Sequence, residues 1–564
     1  MIHERRRSSS GSTIVRIAFV AILISGLSAQ VGEVRRRVGL PEDWTHHHIK
    51  FSAAALRQHP EMAAHEPRAA FQLYREARAA MARSWSSHRS VSTAEHRDWS
   101  VLFGGGRISF GQFPAKWTDN PFSPVTAANC ATDFVVFGLN VAGSATQANL
   151  IGLKSLYSSP TTPSPLCGTS PTFLFAYNIS TIPNGRIVTS PVLSLDGTKV
   201  AFIETSTVSG TRQTVMHVVN IPTSNLGPGF PQGSSAANPA VPTGMTSLTL
   251  TAINSDSRSS PWVEYATDTM YVAADDGRLY KIHPVFTGTP ALAGSPWPLL
   301  IHALSQLTSP VIDDVSGNAF MGALNGRMYV VNVNTPAAVT AIPIGAPGAF
   351  NAGVRDSPII DSTAGTVLAT SSNDATLNSA VVAQVDTTSL LELNRVSIGQ
   401  GSRGGTAVNL YGGDFDNAYF TSPLSGHMIV CGTGAADTIP TTYSLSFDIV
   451  GHLTGVSSPL TALSSSATAR CGPITEFFNS NIGGAGTDFF FLGVTNNCLL
   501  GTIPGGCVMS LGATGSPNAT SPSPGGTSGI IPDNNSTATE ASSIYFTSQG
   551  APNTAYKVTQ QGLN

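Results

Sequence analysis

Charged side chains are scarce in this sequence, because Asp, Glu, Lys and Arg make up only 11% of its 564 residues. Scarce charge combined with 55 Gly and 37 Pro is typical of an all-β protein with many turns, and 41% hydrophobic residues provide a large core. The charge is also uneven, since residues 1–100 carry 15 Lys and Arg against 9 Asp and Glu, whereas residues 101–564 carry 15 against 24. An acidic body argues against nucleic acid as a partner.

Several motifs that carry chemistry are also missing. No Cys-x-x-Cys pair occurs, which removes the main signature of zinc ribbons, thioredoxin-like redox sites and c-type haem attachment. No Gly-x-Ser-x-Gly elbow lies between a predicted strand and a predicted helix, so no serine stands out as a nucleophile. The motifs therefore identify no catalytic residue and no cofactor, and the sequence favours a binding protein over an enzyme.

The six cysteines are spread along the chain. An even number of cysteines in an exported chain predicts disulfides, although six cysteines allow many different pairings. Bonds between sequence neighbours are the pairings that we favour, and free buried thiols are the alternative. These pairs are Cys130 with Cys167, Cys431 with Cys471, and Cys498 with Cys507.

Residues 1–29 have the pattern of a secretory signal peptide. Arginines at residues 5–7 form the positive end, residues 17–27 form the apolar centre, and Ser28-Ala29 is a small-residue cleavage site. The apolar centre is short for a membrane span of about 20 residues, and an uncleaved anchor is the alternative. We predict a secreted, periplasmic or extracellular protein with no membrane span after the signal is removed.

Residues 30–98 are predicted to form a basic, His-rich and partly helical leader. Ala- and Arg-rich stretches predict one or two helices, the second from about Glu66 to Arg83. His46 and His48 belong to a run of three histidines, and in a strand they would share one face, as ligands of Zn²⁺ or Cu²⁺ require. The sequence offers no third metal ligand, so a solvent-exposed leader is the alternative to a metal site. Two arrangements are open for the segment as a whole, packing on the propeller or a free leader.

A repeated pattern organises residues 99–564. A Ser-Pro pair opens a short apolar run, a second run follows, and a tight turn leads into a third run. In one copy the turn is Asp276-Gly277, where glycine supplies the positive φ that a hairpin requires. Three successive anchor prolines lie 49 and 48 residues apart, at Pro261, Pro310 and Pro358. A period of about 40–50 residues with four strands per unit predicts a β-propeller.

The anchors predict about seven blades, with eight as the alternative. They lie near residues 133, 191, 261, 310, 358, 408, 473 and 531–558. In this count Val408 is the anchor of the blade after Pro358, and early strands are expected at residues 100–103 and 107–110. The number depends on whether the last strands, near residues 544–558, complete the first blade. The predicted fold is therefore an all-β propeller preceded by a short helical N-terminal segment.

Two turns, ADDGRLYKI at residues 274–282 and ALNGRMYVV at residues 323–331, resemble the repeats of pyrroloquinoline-quinone-type bacterial propellers. The stretches DWTHHH at 43–48 and TSPVLSLDGTKVAF at 189–202 resemble large secreted β-propeller proteins of environmental bacteria such as acidobacteria. This resemblance implies export and a propeller fold, and it implies no particular activity. Quinone enzymes of this shape carry a tryptophan-docking motif in each blade, which the six tryptophans of this chain do not form, so quinone binding is not expected.

Asp414, Asp416 and Asn417 place two carboxylates and an amide close together in the sequence. Oxygen-rich loops of this kind can bind Ca²⁺. The spacing is not that of a calcium-binding helix–loop–helix, however, and Asp and Asn are ordinary turn formers. Ca²⁺ at these residues is therefore one hypothesis, and a simple turn is the alternative.

The sequence predicts a secreted binding or structural module that recognises a protein, glycan or cell-surface partner through its loop face. The alternative is a polysaccharide hydrolase or lyase with its site at the central channel. An enzyme should gather several ionisable side chains in one funnel, whereas a binder should show an aromatic or mixed patch. The carboxylates near inner strands that an enzyme could use, although a rim or turn role is favoured for each, are Glu204, Glu264, Asp356 and Glu476.

Overall fold

Each repeat of the sequence forms one antiparallel sheet in the computed structural model of the chain, and eight sheets follow one another as the blades of a β-propeller. The prediction of a propeller is confirmed, and the number of blades is eight. The structure describes residues 39–52, 56, 60–73, 95–119, 121, 128–160, 165–206, 208–222, 232–252, 255–303, 305–345, 353–374, 376, 378–402, 408–479, 486–533 and 541–560. The predicted signal peptide, residues 1–29, lies outside these residues.

The turn chemistry explains how one blade forms. In blade 3 the strands Thr269–Ala273 and Arg278–Ile282 are joined by the predicted Asp-Gly turn. Gly277 has φ +76°, and a Cβ atom there would lie 1.9 Å from the carbonyl oxygen of His302. Glycine is therefore required both by the backbone conformation and by the close approach of the next connection.

Blades 1 to 4 each contain four main strands, ordered from the channel outward. Blade 1 comprises Ala115–Asp119, Phe134–Gly138, Leu150–Lys154 and Thr172–Tyr177. Blade 2 comprises a split inner strand, Arg186–Ile187 and Val192–Leu193, then Lys199–Thr205, Thr214–Asn220 and Thr246–Thr249. Blade 3 comprises Trp262–Glu264, Thr269–Ala273, Arg278–Ile282 and Leu299–Leu300. Blade 4 comprises Val311–Asp313, Asn318–Gly322, Arg327–Asn332 and Thr340–Pro343.

Blades 5 to 7 have the same order, and the few helices lie mostly outside the sheets. Blade 5 comprises Ile359–Asp361, Thr366–Ser371, Ser379–Asp386 and Glu392–Gln400. Blade 6 comprises Asp414–Phe415, His427–Thr433, Pro440–Phe447 and Leu453–Val456. Blade 7 comprises Thr475–Asn479, Thr487–Val494, Cys507–Gly512 and Pro517–Pro522. The helical segments are Trp44–His48, Pro60–His65, residues 67–73, Asn417–Thr421, and the 3₁₀ turns Pro423–Ser425 and Leu500–Thr502.

Blade 8 closes the ring with strands from both ends of the chain. Its inner strands are Ile531–Asp533, Ser543–Thr547 and Thr554–Gln560, and its outer strand is Glu95–Leu102. The last strands therefore form a separate blade instead of completing the first, which explains why eight blades are present. This arrangement leaves no free seam in the ring.

Two sequence expectations about strands were wrong. Residues 107–110 form no strand, because they belong to the connection between blades 8 and 1. Val408 is not the anchor of blade 6, whose inner strand is Asp414–Phe415. Its alternating apolar neighbourhood resembles a strand, but Val408 lies on the connection that precedes the blade.

The Ser-Pro anchors connect neighbouring blades around the channel. The backbone N–H of Ser190 donates to Oγ of Ser260 (2.8 Å), and the N–H of Ser260 donates to Oγ of Ser309 (2.7 Å). The side-chain oxygen of Gln112 accepts from the hydroxyls of Ser190 and Ser260, at 2.9 and 2.6 Å. Proline follows each serine at the start of a strand, where its missing N–H breaks no ladder hydrogen bond.

The two faces of the propeller are formed by different loops. The mouth face carries the loops between the second and third strands of each blade and the connections between blades. The base face carries the loops between the first and second strands and between the third and fourth strands. Within the described residues, no helix is both long enough and apolar enough to cross a membrane.

All three favoured disulfides are present in the structure. Cys130–Cys167 joins two base-face loops of blade 1, and Cys431–Cys471 joins blade 6 to the connection that leads into blade 7. Cys498–Cys507 lies within a single mouth-face loop of blade 7.

Removing the disulfide between blades 6 and 7 is expected to cost about 2–4 kcal/mol of unfolding free energy. This bond closes a loop of 40 residues, whereas Cys498–Cys507 closes one of only 9. In urea unfolding, Cys431→Ala/Cys471→Ala should therefore lose more stability than the equally buried control pair Cys498→Ala/Cys507→Ala. A larger loss in the control pair would contradict the expectation.

Candidate functional site: the filled channel and its mouth

The central channel contains part of the chain itself, the channel segment, defined as residues 39–52 and 60–73. The strand Gly39–Glu42 pairs antiparallel with the inner strand of blade 1. The helix Trp44–His48 follows, and Ile49–Lys50 then pairs parallel with the inner strand of blade 5. The segment therefore runs from the base face toward the mouth along one blade and returns along another. Two stretches of the predicted leader, Gly39–Glu42 and Ile49–Lys50, are thus paired with the propeller sheets.

The histidine run is helical because Asp43 caps it. The Asp43 side chain accepts a hydrogen bond from the backbone N–H of Thr45 (3.0 Å), and the backbone N–H of Asp43 donates to Nδ1 of His46 (3.2 Å). This reciprocal arrangement is a capping box. His46 and His48 therefore do not share a strand face: the ring of His46 contacts Phe71, whereas that of His48 contacts Trp44.

Apolar packing fixes the channel segment to blades 2 to 5. Trp44 is 2% exposed, donates from Nε1 to the carbonyl oxygen of Pro261 (3.1 Å), and packs edge-on against Trp262. The guanidinium of Arg68 lies 4.3 Å from the ring centre of Trp262 and donates to the hydroxyl of Thr45 (2.7 Å). The segment is therefore part of the protein core.

A buried ion pair joins the segment to blade 6. Nζ of Lys50 lies 2.8 Å from Oδ1 of Asp414, and the backbone N–H of Glu476 donates to Oδ2 of Asp414 (2.9 Å). Burial alone would raise the pKa of Asp414, but Lys50 and the neighbouring His47 outweigh burial and hold that pKa below its usual range. Asp414 is therefore a charged group whose charge depends on the channel segment.

The other two histidines lie close to carboxylates of the channel wall. Nε2 of His48 lies 3.4 Å from Oδ1 of Asp356, and its Nδ1 lies 2.9 Å from the carbonyl oxygen of Trp44. His47 is 4% exposed, and its ring nitrogens form no hydrogen bond, although Nδ1 lies 3.6 Å from Oδ2 of Asp414. Burial lowers the pKa of His47, so its ring is neutral at neutral pH.

A small cavity separates the segment from blades 6 to 8. Its volume is about 50 Å³, and its walls include His47, Lys50, Asp414 and Glu476. Such a volume holds a few water molecules, whereas ligand pockets commonly measure roughly 300–1,000 Å³. Ionisable side chains do converge here, as the enzyme hypothesis expects, but this cavity has no room for a saccharide.

The structure separates the residues considered as metal ligands. Asp414 pairs with Lys50, Asp416 caps the helix Asn417–Thr421, and the N–H of Asn417 donates to Asp488 (2.7 Å). Among the described residues, no group of three or more His, Cys, Asp or Glu side chains is arranged to hold a metal ion. Ca²⁺ at the aspartates and a metal at the histidines stay predictions.

The four carboxylates considered for catalysis do not form one group. Glu204 accepts from His217 (2.8 Å) and Thr181 inside blade 2, and Glu264 accepts from Thr267 on the base face. Asp356 and Glu476 do line the channel, where they contact His48 and Asp414 as described above. The buried Glu204 therefore has a structural environment far from the channel cluster.

Three arginines border the mouth of the channel. Arg258, Arg355 and Arg470 each stand three residues before the anchor proline of blades 3, 5 and 7. Arg258 and Arg470 are exposed, and Arg355 is half-buried. Burial lowers the pKa of Arg355, and repulsion from the other two guanidinium groups lowers it further. Each arginine lies the same number of residues before its anchor proline, and this regular spacing is the sequence signal that could have identified the three arginines.

Aromatic rings lie beside and below these arginines. The rings of Phe110 and Tyr411, both half-buried, meet edge-on with their centres 5.3 Å apart. Below them, Phe113 packs against His47 and His48, at 5.2 and 6.3 Å between ring centres. Phe113 and the channel segment thus form the floor of a shallow mouth.

Asp275→Asn is expected to stabilise the protein increasingly as the pH rises from about 4 to 8. Burial and the neighbouring Asp256 raise the pKa of Asp275 to about 8. The folded protein therefore keeps a proton that the unfolded chain loses above about pH 4, so the wild type loses stability over this range. Urea unfolding of both proteins at pH 5 and pH 8 measures the effect, and an equal difference at both pH values would contradict it.

Comparisons with known proteins found similarity to solved structures only. No family model matches the chain, and no curated protein matches it. The chain is similar to the solved structure of BamB from Moraxella catarrhalis, with 11% identity, a TM-score of 0.41, and 83% of this chain and 98% of that chain covered. It is also similar to Sqt1 from Saccharomyces cerevisiae (12% identity, TM-score 0.45, 84% and 100% covered) and to the C-terminal WD40 domain of Sif2 (8%, 0.44, 84% and 100%).

Proposed function

We propose that the protein is an exported binding module that recognises a protein, glycan or cell-surface partner with its mouth face. The observation that carries this proposal is the filled channel, because residues of the chain itself occupy the axis where a propeller enzyme would bind its substrate. Recognition then falls to the loops above the floor, where side chains are rigidly placed by the blades. The propeller fold is consistent with a protein-binding or structural module.

Export is supported by the signal pattern of residues 1–29 and by the three disulfides, which form and persist in oxidising compartments. The hydrolase or lyase hypothesis retains one supporting observation, the ionisable side chains around the small cavity. The test must therefore separate binding from turnover.

The test screens the mature full-length chain against glycans and cell-surface proteins and analyses every bound partner afterwards by mass spectrometry. We expect saturable, reversible binding with the partner recovered intact. Carboxylates introduced on the mouth face, as Val208→Glu/Leu499→Glu, should weaken binding. The same change on the base face, as Val315→Glu/Ile449→Glu, is the matched control, because all four side chains are exposed. Shortened saccharide products, or an equal effect of both variants, would refute the proposal.

A further inference from the structure

We propose that the arginine triad, Arg258, Arg355 and Arg470, binds an acidic oligosaccharide together with the Phe110–Tyr411 ring pair. The carboxylates of the sugar units would contact the guanidinium groups, and the apolar faces of the sugar rings would stack on the aromatic pair. The inference rests on the binding function proposed above and names the class of ligand.

The first support is the convergence of the triad. The three arginines occupy one repeat position on alternate blades, so their backbones lie at equivalent points on the mouth-face connections around one axis. They are close enough that Arg258 and Arg470 disfavour the charged form of Arg355. Like charges brought together by a rigid scaffold are relieved when an anion binds between them.

The second support is that two of the three arginines, Arg258 and Arg470, have guanidinium charges that no neighbouring carboxylate of the described residues neutralises. Within the part of the chain that the structure describes, neither Arg258 nor Arg470 forms an ion pair with a carboxylate. Asp275, which interacts with Arg258, has a pKa of about 8 and carries a proton at neutral pH. A guanidinium group suits a carboxylate because it offers two parallel donors.

The aromatic pair distinguishes a saccharide from other polyanions. Acidic peptides need only cations, whereas an acidic sugar presents a carboxylate and an apolar ring face in each unit. Phe110 and Tyr411 are half-buried beside the triad, where they can accept such a face. The closed floor means that the ligand lies across the mouth without threading the channel.

The experiment measures binding of an oligogalacturonate by calorimetry to the full-length mature chain. The same oligosaccharide with its carboxylates methyl-esterified keeps the ring faces and removes the charge, so we expect no measurable binding. A poly-glutamate peptide with the same number of carboxylates keeps the charge and removes the ring faces, so we expect binding at least tenfold weaker. Poly-glutamate that binds as tightly as the sugar would replace the saccharide with an acidic protein and refute the inference.

Arginine variants locate the site. Arg258→Gln/Arg470→Gln changes two exposed side chains and should weaken oligogalacturonate binding about a hundredfold, since one charge-assisted contact contributes about tenfold or more. Adding Arg355→Gln should abolish binding. The matched control removes three cations from the third strands of three blades, as Lys154→Gln/Arg278→Gln/Arg327→Gln, and should bind as the wild type does. Circular dichroism and thermal unfolding verify that each variant is folded.

Phe110→Ala tests the contribution of the aromatic pair, because it changes no charge on the protein. It should weaken oligogalacturonate several-fold and leave poly-glutamate unchanged. Failure of this inference can be told from failure of the proposed function. A mature chain that binds a different partner through the mouth face, but not oligogalacturonate, keeps the binding module and refutes the acidic saccharide. Oligogalacturonate binding that survives the arginine changes refutes the site.

Discussion

Replacing Lys50 with methionine is expected to lower the free energy of unfolding by about 3–5 kcal/mol. Methionine preserves most of the side-chain volume but leaves Asp414, which is 3% exposed, without its cation. A buried carboxylate that loses its partner keeps the full cost of desolvation. Equilibrium urea unfolding, followed by tryptophan fluorescence, measures the loss.

Two controls isolate the ion pair. Lys154→Met changes a half-buried lysine at the end of a blade 1 strand and should alter stability by no more than about 0.5 kcal/mol. Adding Asp414→Asn to Lys50→Met should restore much of the loss, because no buried charge then remains unpaired. A loss below about 1 kcal/mol in Lys50→Met would show that water or another group already satisfies Asp414.

The same variant has a defined pH dependence. Because the pKa of Asp414 is lowered in the folded protein, its contribution to stability is present above the unfolded pKa, about 3.9, and is lost as the pH falls through the folded pKa. The difference between the wild type and Lys50→Met should therefore be largest near neutral pH. It should shrink as the pH falls and begin to do so above pH 4, because burial without Lys50 raises the pKa at which Asp414 takes up a proton in the variant.

Local patterns predicted the blades well. The Asp276-Gly277 turn, the Ser-Pro anchors and the strand near residues 134–138 depend on interactions within a few residues, so the sequence displays them directly. The disulfides also connect sequence neighbours. The anchor of blade 6 was misplaced because Asp414-Phe415 is a two-residue inner strand, too short to produce an alternating pattern.

The channel segment could not be predicted in the same way. A basic, His-rich stretch indicates a solvent-exposed leader, since isolated charges are costly to bury. What makes burial of His48 favourable is Asp356, which lies 308 residues further along the chain. Lys50 likewise depends on Asp414. Partners separated so widely leave no periodic signal, and a single sequence gives no other measure of their contact.

The filled channel also changes how the ionisable residues should be interpreted. In an open propeller, His47, His48, Asp356 and Asp414 near one end of the axis would indicate catalysis. Here two of the four belong to the segment that closes the channel, and the carboxylates have partners on it. The perturbed pKa values of His47, Asp356 and Asp414 follow from burial and pairing, which makes a structural role sufficient to explain them.

A chain in which residues 30–94 are deleted, so that the signal peptide is followed directly by Glu95, is expected not to fold to the native state. It retains every blade, including the outer strand of blade 8, and it lacks only the segments that precede that strand. We expect it to lose cooperative urea unfolding and to become sensitive to proteases. Trp44, Ile49 and Phe51 are each at most 2% exposed, and burying a large apolar side chain contributes roughly 1.5–3 kcal/mol.

The deletion removes these contributions together, and it leaves Asp356 and Asp414 facing an empty channel without His48 and Lys50. Since a native domain is stable by only about 5–15 kcal/mol, the sum is comparable to the whole stability. A synthetic peptide of residues 39–73 added in trans should restore folding, whereas the same peptide carrying Trp44→Ala and Lys50→Ala should not. A deleted chain that unfolds cooperatively at the wild-type urea concentration would mean that the blades alone determine the fold, and the channel segment would then be an occupant of the propeller that contributes nothing to its stability.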